Sequence, residues 1–171
     1  IIWPSTVSSN STAGTIEYAT SHPTTFIIYN YSNFDWYYTG SSSIDKTRWQ
    51  SEKTIYDPCP VGWRVPDSGS EGIWSTALGS SSPYNDTFDG SNKGINFSGK
   101  FGSASTIWYP ASGYRDSGDG ALSNVGYYGS YWSVTPDNYN AYSLYFDYGG
   151  YVYPSSNGYR ACGFGVRCVQ E

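Results

Sequence analysis

Residues 127–162 read YYGSYWSVTPDNYNAYSLYFDYGGYVYPSSNGYRAC, and this stretch says most about the fold. Apolar and polar side chains alternate over residues 142–147, which is the two-residue period of a β-strand. The alternation predicts one face with Tyr142, Leu144 and Phe146, and an opposite face with Ser143, Tyr145 and Asp147. In the next segment Val152 has inward parity, while Tyr151 and Tyr153 have outward parity. The stretch therefore predicts strands with an apolar inner face and a tyrosine-rich outer face.

The composition of this stretch favours a binding surface. Residues 127–162 contain no Lys, Glu, Gln, Met or His, and their only carboxylates are Asp137 and Asp147. Clustered tyrosines supply rigid, amphipathic contact area at a low entropic cost, as they do in antibody paratopes. The alternative interpretation is a β-rich surface that simply favours Tyr and Ser.

The whole chain of 171 residues has the length of one domain with a single core, which we place at residues 1–171. Charged residues make up 13% of the chain and aromatic residues 19%. An average protein contains about 25% charged residues. Helical bundles and disordered chains need many charged residues, so the composition excludes both classes. Residues 1–50 carry the weakest structural signals.

Charge and hydropathy exclude two kinds of partner. The chain has 9 Lys and Arg against 14 Asp and Glu, a net charge of -5, so we expect no nucleic-acid binding. No stretch approaches the roughly 18 consecutive apolar residues of a membrane span, so we expect no direct membrane insertion. The chain has no Met and no segment like a signal peptide. We therefore expect a domain of a longer precursor whose targeting segment lies elsewhere.

Local patterns predict the remaining elements of the scaffold. Residues 57–66 read DPCPVGWRVP, a rigid, chain-reversing segment. Apolar residues at helical spacing over residues 73–78, closed by Gly79, predict a short helix, and residues 17–22, ended by Pro23, predict another. Short strands are predicted at residues 24–29, 35–38, 106–109 and 163–169. The predicted fold class is α+β, with short antiparallel strands, one or two short helices and long loops.

Residues suited to catalysis or metal binding are few. His22 is the one histidine, and the sequence marks no Cys or Ser as its partner, so we interpret it as structural. The segment from Asp116 to Gly120 reads DSGDG but lacks the spacing and the closing Glu of a calcium loop. A turn rich in Asp and Gly needs no metal, so we predict a turn at Asp116 and Asp119 and leave metal occupancy open. We expect no catalysis and no cofactor.

The three cysteines allow one disulfide and one free thiol. Cys162 and Cys168 are separated by a predicted strand, and an extended chain would hold their sulfurs too far apart. We therefore predict a Cys59–Cys168 disulfide, provided that the compartment is oxidising, and a free Cys162. This bridge would stabilise the domain by roughly 4–5 kcal/mol on the chain-entropy model. A reactive Cys162 would need a neighbouring cation, for which Arg160 is the only candidate.

Three sequence blocks carry a resemblance to a known family. They are residues 57–66, residues 131–135 (YWSVT) and residues 160–169 (RACGFGVRCV). Together they resemble the Fibrobacter-type major paralogous domain over about residues 50–171. The resemblance implies a surface domain of gut Bacteroidetes with a C-type-lectin-like fold, related to the fold of formylglycine-generating enzymes. The aromatic residues expected to point inward in such a domain are Trp63, Trp132, Phe146 and Phe164.

The tail of the chain is in addition similar to the variable region of a diversity-generating retroelement target protein. In such systems the adenines of a template copy are randomised, and AAC or AAT codons for Asn change most. These codons can become Tyr, Asp, Ser, Gly or Cys, among others, but never Lys, Glu, Gln, Met or Trp. Residues 127–159 lack the first four, and their one Trp, Trp132, lies in the YWSVT block. The resemblance implies that the variable, ligand-binding positions are Tyr127, Tyr128, Ser130, Asp137, Asn138, Tyr139, Asn140, Ser143, Tyr145, Asp147, Tyr148, Tyr151, Tyr153, Ser155, Ser156, Asn157, Tyr159 and Cys162.

The resemblance implies an extracellular or cell-surface domain, or a phage-tail domain, that binds a protein or glycan ligand on a cell or phage-host surface. Residues 135–138 only half match the loop of sugar-binding calcium lectins, so calcium-dependent sugar binding is not expected. The alternative is a structural module of a pilus tip or phage tail fibre, whose tyrosine-rich face packs on a neighbouring subunit. A third interpretation, a formylglycine-generating type of oxidoreductase, would need active cysteines in a copper or redox context. Three cysteines, two of them predicted to be bridged, do not reproduce that context.

Overall fold

The computed structural model describes residues 5–29, 31, 33–40, 42–79, 82–102 and 106–171. Strands make up 35% of the described residues and helices 8%, so the fold is mainly β. The predicted α+β class is wrong, because both helices in the described part of the chain have only 6 residues. A helix of this length covers only a small part of a sheet, so the helices do not form a layer of their own.

The two short helices form where local sequence signals predict them. Helix α1 spans Ile16–Ser21, and the Thr15 hydroxyl before it accepts a hydrogen bond of 3.1 Å from the backbone N–H of Tyr18. Helix α2 spans Ile73–Leu78 and ends at Gly79, whose φ of 76° is a left-handed conformation that glycine adopts without strain. Both predicted helices are confirmed.

Most strands in the described residues are short, and three longer ones build the central sheet. The strands are β1 Ser5–Ser8, β2 Thr25–Ile28, β3 Trp63–Arg64, β4 Tyr84–Asn85, β5 Phe88–Asp89, β6 Gly94–Asn96, β7 Trp108–Pro110, β8 Tyr114–Arg115, β9 Leu122–Ser123, β10 Tyr128–Asp137, β11 Asn140–Asp147, β12 Tyr151–Tyr159 and β13 Val169–Gln170. The central sheet is antiparallel, in the order β10-β11-β12-β4. Smaller sheets pair β1 with β2 in parallel, β3 with β13, β8 with β9, and β5, β6 and β7 in that order.

Two of the predicted strands are wrong. Residues 35–38 form no strand, because the Asn33 side chain accepts a hydrogen bond from the N–H of Asp35, and the Asp35 carboxylate accepts one from Tyr37. Such hydrogen bonds between side chains and the backbone compete with the backbone hydrogen bonds that would pair a strand with its neighbour. Residues 163–169 make only isolated bridges before β13, since this glycine-rich segment crosses from β8 to β10 rather than following one strand. The strands predicted at 24–29 and 142–147 are confirmed as β2 and β11, and that at 106–109 forms only its second half, in β7.

The inner face of the central sheet carries the main core, as the alternation predicts. Leu144 and Phe146 on β11 and Val152 on β12 are all 0% exposed. They pack with residues of α2 and of the β5-β6-β7 sheet, among them Trp74 and Ile95. This burial removes the apolar stripe of the strands from water, which is the main driving force for docking the sheet.

The expected inward position of Trp63 is wrong. Trp63 is 43% exposed, because it lies on the two-residue strand β3, whose one partner in the ladder is the equally short β13. Phe146 is buried on the inner face, as expected. Trp132 is buried on the outer side of β10 against half-buried Phe164, so its expected inward position is also wrong.

The disulfide between Cys59 and Cys168 is present, with the two Cα atoms 5.8 Å apart across 109 residues of sequence. It joins the segment 57–66 to the C-terminus next to buried Val65. Asp57 orders this segment, because its carboxylate accepts hydrogen bonds from the N–H of Cys59 (2.8 Å) and of Val65 (2.9 Å). The Lys53 ammonium lies 2.9 Å from the same carboxylate.

Candidate functional site

A row of tyrosines crosses the outer face of the central sheet. Tyr145 on β11 lies opposite Ser130 on β10 and Tyr153 on β12 in the strand register. The Tyr145 ring centroid is 5.4 Å from that of Tyr128, at an interplanar angle of 70°, and 5.6 Å from that of Tyr153, at 59°. The rings therefore stand at steep angles to one another across three strands.

These tyrosines border a cavity of about 350 Å³, which we call the tyrosine pocket. It is lined by Tyr114, Tyr128, Ser130, Tyr145, Asp147, Tyr153, Ser156, Asn157 and Phe164. Most of these residues belong to the variable set that the resemblance implies. Tyr114 and Phe164 do not, and they enter from β8 and from the segment after β12, with ring centroids 5.7 Å apart at 78°. Nothing in their local sequence marks them as site residues, because distant parts of the chain bring them there.

The tyrosine pocket is acidic and contains no basic side chain. Asp147 is its one carboxylate, and none of the described residues that line it is Lys, Arg or His. Burial raises the pKa of the Tyr145 phenol, and the neighbouring Tyr128 phenol and the Asp147 carboxylate raise it further. These shifts indicate that the environment of Tyr145 disfavours added negative charge.

The outer face continues beyond the pocket at both ends. Tyr148, in the turn between β11 and β12, packs edge to face on Tyr127, which directly precedes β10. Both rings are exposed, and their centroids are 5.7 Å apart. At the β10–β11 hairpin, the Asn157 side-chain amide donates to the Asp137 carboxylate at 3.0 Å. The hairpin turns at Asn138, whose φ is 42°, beside exposed Tyr139 and half-buried Asn140.

Some residues of the implied variable set are not at the surface. Ser143 is 1% exposed, since it pairs with Trp132 in the ladder and the chain itself covers that part of the outer face. The ring of Tyr159 stacks on Phe34, with centroids 4.6 Å apart, although Tyr159 stays 43% exposed. Cys162 is free, as predicted, but half-buried, and burial raises the pKa of its thiol, which makes it a poor nucleophile. The remaining members, Tyr151 and Ser155, lie on β12, exposed and half-buried respectively.

A second cavity, of about 430 Å³, lies between the N-terminal part of the chain and the sheet. We call it the N-terminal cavity, and its lining includes Phe26, Trp36, Trp49, Trp132 and Cys162. Its charged groups engage one another: the Arg160 guanidinium is 3.7 Å from the Asp35 carboxylate and donates to the backbone carbonyls of Asn140 and Asp45. Burial raises the pKa of Asp35. No local sequence pattern marks this cavity, because its walls come from segments far apart in the chain.

The remaining candidates for chemistry are structural. The His22 ring stacks on Tyr18 at 3.9 Å at the end of α1. Asp116 accepts a hydrogen bond from the N–H of Gly118 and Asp119 one from Ala121, which are the bonds of a turn. Within the described ranges, no group of three His, Cys, Asp or Glu side chains is arranged to hold a metal ion.

Comparisons with family models, with curated proteins and with solved structures find no match to this chain. The family resemblance therefore stays a prediction that rests on the three sequence blocks. Over the described residues, no helix has the length and apolar character needed to span a membrane.

Proposed function

We propose that this chain is a ligand-binding domain whose outer face, built from residues 127–162, is diversified by a retroelement. One observation carries the proposal: most residues of the implied variable set, such as Tyr145, Tyr153 and Asn157, lie on the outer face of β10–β12. The inner positions of the same strands are Leu144, Phe146 and Val152, which are fully buried. Side chains of the outer face can then change without removing any of the main core.

The chemistry of the face suits recognition of varied ligands. Tyrosine presents a large, rigid contact area with a hydroxyl at its tip, while Ser, Asn and Asp add adaptable hydrogen bonds. The ligand would be a protein or a glycan, because the face joins a pocket to a flatter exposed area at Tyr127 and Tyr148. The domain itself performs no chemistry in this proposal.

The proposed location is the outside of a cell or a phage tail. The Cys59–Cys168 disulfide is compatible with an oxidising, extracellular compartment. On β10 its cysteines pack with Val134, a buried position outside the implied variable set, so variation at the face leaves the disulfide and its packing intact.

Deep sequencing of the coding region for residues 100–171 in related isolates tests the proposal, together with a search for a nearby near-copy and a reverse transcriptase. Substitutions should cluster at the codons of Asn138, Tyr145 and Tyr153 and spare those of Leu144 and Phe146. Substitutions that fall equally on inner and outer positions would exclude diversification.

The alternative is an assembly module whose exposed tyrosines pack on a second subunit. It predicts self-association at micromolar concentration that is lost when Tyr127 and Tyr148 are replaced by Ser. Sedimentation of the wild type and of this double variant separates the two functions, because a monomer with an exposed tyrosine face contradicts assembly.

A further inference from the structure

We infer that the tyrosine pocket binds an alkylammonium cation, either the side chain of a lysine in a protein ligand or a free quaternary ammonium compound of the choline type. The inference rests on the proposed function in that it places the ligand on the same outer face. It goes further by assigning a chemical class to the ligand of this particular chain.

The aromatic walls of the pocket have the arrangement that a cation prefers. Tyr128, Tyr145 and Tyr153 meet at interplanar angles of 70° and 59°, and Tyr114 meets Phe164 at 78°. Rings at such angles line the cavity from different directions, rather than forming one flat platform on which a sugar ring would stack. A cation near such faces is attracted by the negative potential of the π-systems, and quaternary ammonium groups are recognised in this way.

The charges around the pocket point to the same ligand class. Oδ1 of Asp147 accepts hydrogen bonds from the N–H of Gly149 (2.9 Å) and of Tyr151 (3.2 Å), which fix the carboxylate at the rim. Oδ2 accepts no hydrogen bond from the described residues, so it remains available to a cationic ligand. An anionic ligand would instead meet this carboxylate and tyrosines with no compensating basic group.

The neighbouring arginines do not neutralise the pocket. Arg115 lies on β8 next to Tyr114, but its guanidinium donates to the carbonyl of Gly120 at 2.6 Å and packs over Phe26. Arg160 follows β12, and its guanidinium engages groups of the N-terminal cavity. The pocket therefore combines several aromatic walls with one carboxylate, and none of the described residues that line it is basic.

In the first experiment the folded protein is titrated with three compounds, and binding is monitored by NMR. The compounds are choline, Nα-acetyl-lysine methylamide, whose ε-ammonium group is free, and 3,3-dimethyl-1-butanol, the neutral isostere of choline. At least one cation should bind and shift the resonances of Tyr145 and Tyr153. The neutral isostere should bind roughly threefold to thirtyfold more weakly, as expected for the loss of one cation–π site. Tighter binding of the lysine derivative identifies a protein ligand, and tighter binding of choline identifies a free quaternary ammonium compound. Equal binding of choline and its isostere, or no binding of either cation, would overturn the inference.

Variants locate the site. Asp147→Asn keeps an acceptor for the turn but removes the charge, and it should weaken cation binding by up to about fivefold. Tyr145→Leu removes the central ring and should weaken it by roughly threefold to thirtyfold. Asp119→Asn and Tyr56→Leu are matched controls outside both the pocket and the proposed binding face, and they should bind like the wild type. Equal weakening by Asp119→Asn and Asp147→Asn would show a non-specific charge effect and overturn the inference. Near-UV circular dichroism checks folding, and the Asp147→Asn result stands even if Tyr145→Leu unfolds.

The outcome is independent of the sequencing test. If substitutions in related isolates cluster on the outer face but no cation binds, the ligand class is wrong and the proposed function stands. If a cation binds but substitutions are scattered, the pocket is a fixed binding site and diversification is wrong.

Discussion

Trp132 stacks on Phe164 with their ring centroids 4.1 Å apart and their planes 24° from parallel. Trp132 lies on the same side of β10 as Tyr128 and Ser130, so this contact places the segment after β12 over part of the outer face. It divides that face into a covered half, which includes buried Ser143, and an open half with the tyrosine pocket. Phe164 is thus both the cover of one half and a wall of the other.

The fit between β12 and Phe164 should be sensitive to one added methyl group. A Cβ at Gly158 would lie 2.8 Å from Cζ of Phe164, closer than real carbon atoms approach. We expect Gly158→Ala to lower the free energy of unfolding by roughly 1–3 kcal/mol, as overpacking does elsewhere. Gly90→Ala is the matched control, because an added Cβ there meets no described atom within 4 Å. Urea unfolding measures both, and equal effects would contradict the predicted contact.

The two faces of the central sheet should differ in their tolerance of truncation. Phe146→Ala removes a fully buried ring and should cost about 3–5 kcal/mol of unfolding free energy. Tyr148→Ala removes a ring that is 63% exposed and should change stability by no more than about 0.5 kcal/mol. Thermal or urea unfolding of the two variants is the measurement. A large loss with Tyr148→Ala would show that the outer face contributes to the core.

The disulfide should matter for stability and the free thiol should not. Replacing Cys59 and Cys168 together by Ala should lower the free energy of unfolding by about 2–5 kcal/mol, because the unfolded chain is no longer closed into a long loop. Cys162→Ser should have a small effect, and a reducing agent should destabilise this variant as much as the wild type. Insensitivity of the wild type to reduction would contradict the prediction.

Stability should depend on the ionisation of Asp57. Burial by itself would raise the pKa of this carboxyl, but hydrogen bonds from Lys53 and from the N–H groups of Val65 and Cys59 outweigh it and hold the pKa below its usual 3.8. A pKa lowered by folding means that the stabilisation is present above the unfolded value and is lost as the pH falls through the folded one.

Urea unfolding as a function of pH tests this linkage. The wild type should lose stability as the pH falls from 3.8 downward, and Asp57→Asn, which cannot ionise, should lose less over the same interval. Identical slopes for the Asp57→Asn variant and the wild type would show that Asp57 does not carry the effect.

Local patterns predicted part of the fold and part of the candidate site. The helix at 73–78 and the strand at 142–147 follow from spacing and capping, which depend on residues a few positions apart. The predicted α+β class is wrong because each helix signal yields a helix of only 6 residues, which is too short to form a helical layer beside the sheets. Residues 163–169 alternate like a strand, but the glycines at 163 and 165 bridge two different elements instead.

The sequence by itself determined which side of the strands Leu144, Phe146, Tyr145 and Tyr153 face, because side-chain direction in a strand is set by parity along the chain. Only the tertiary structure decided which part of the outer face stays open. That choice depends on Phe164 and Tyr114, which reach the face from distant segments. Contacts between such segments follow from the packing of the whole domain, and no local pattern encodes them.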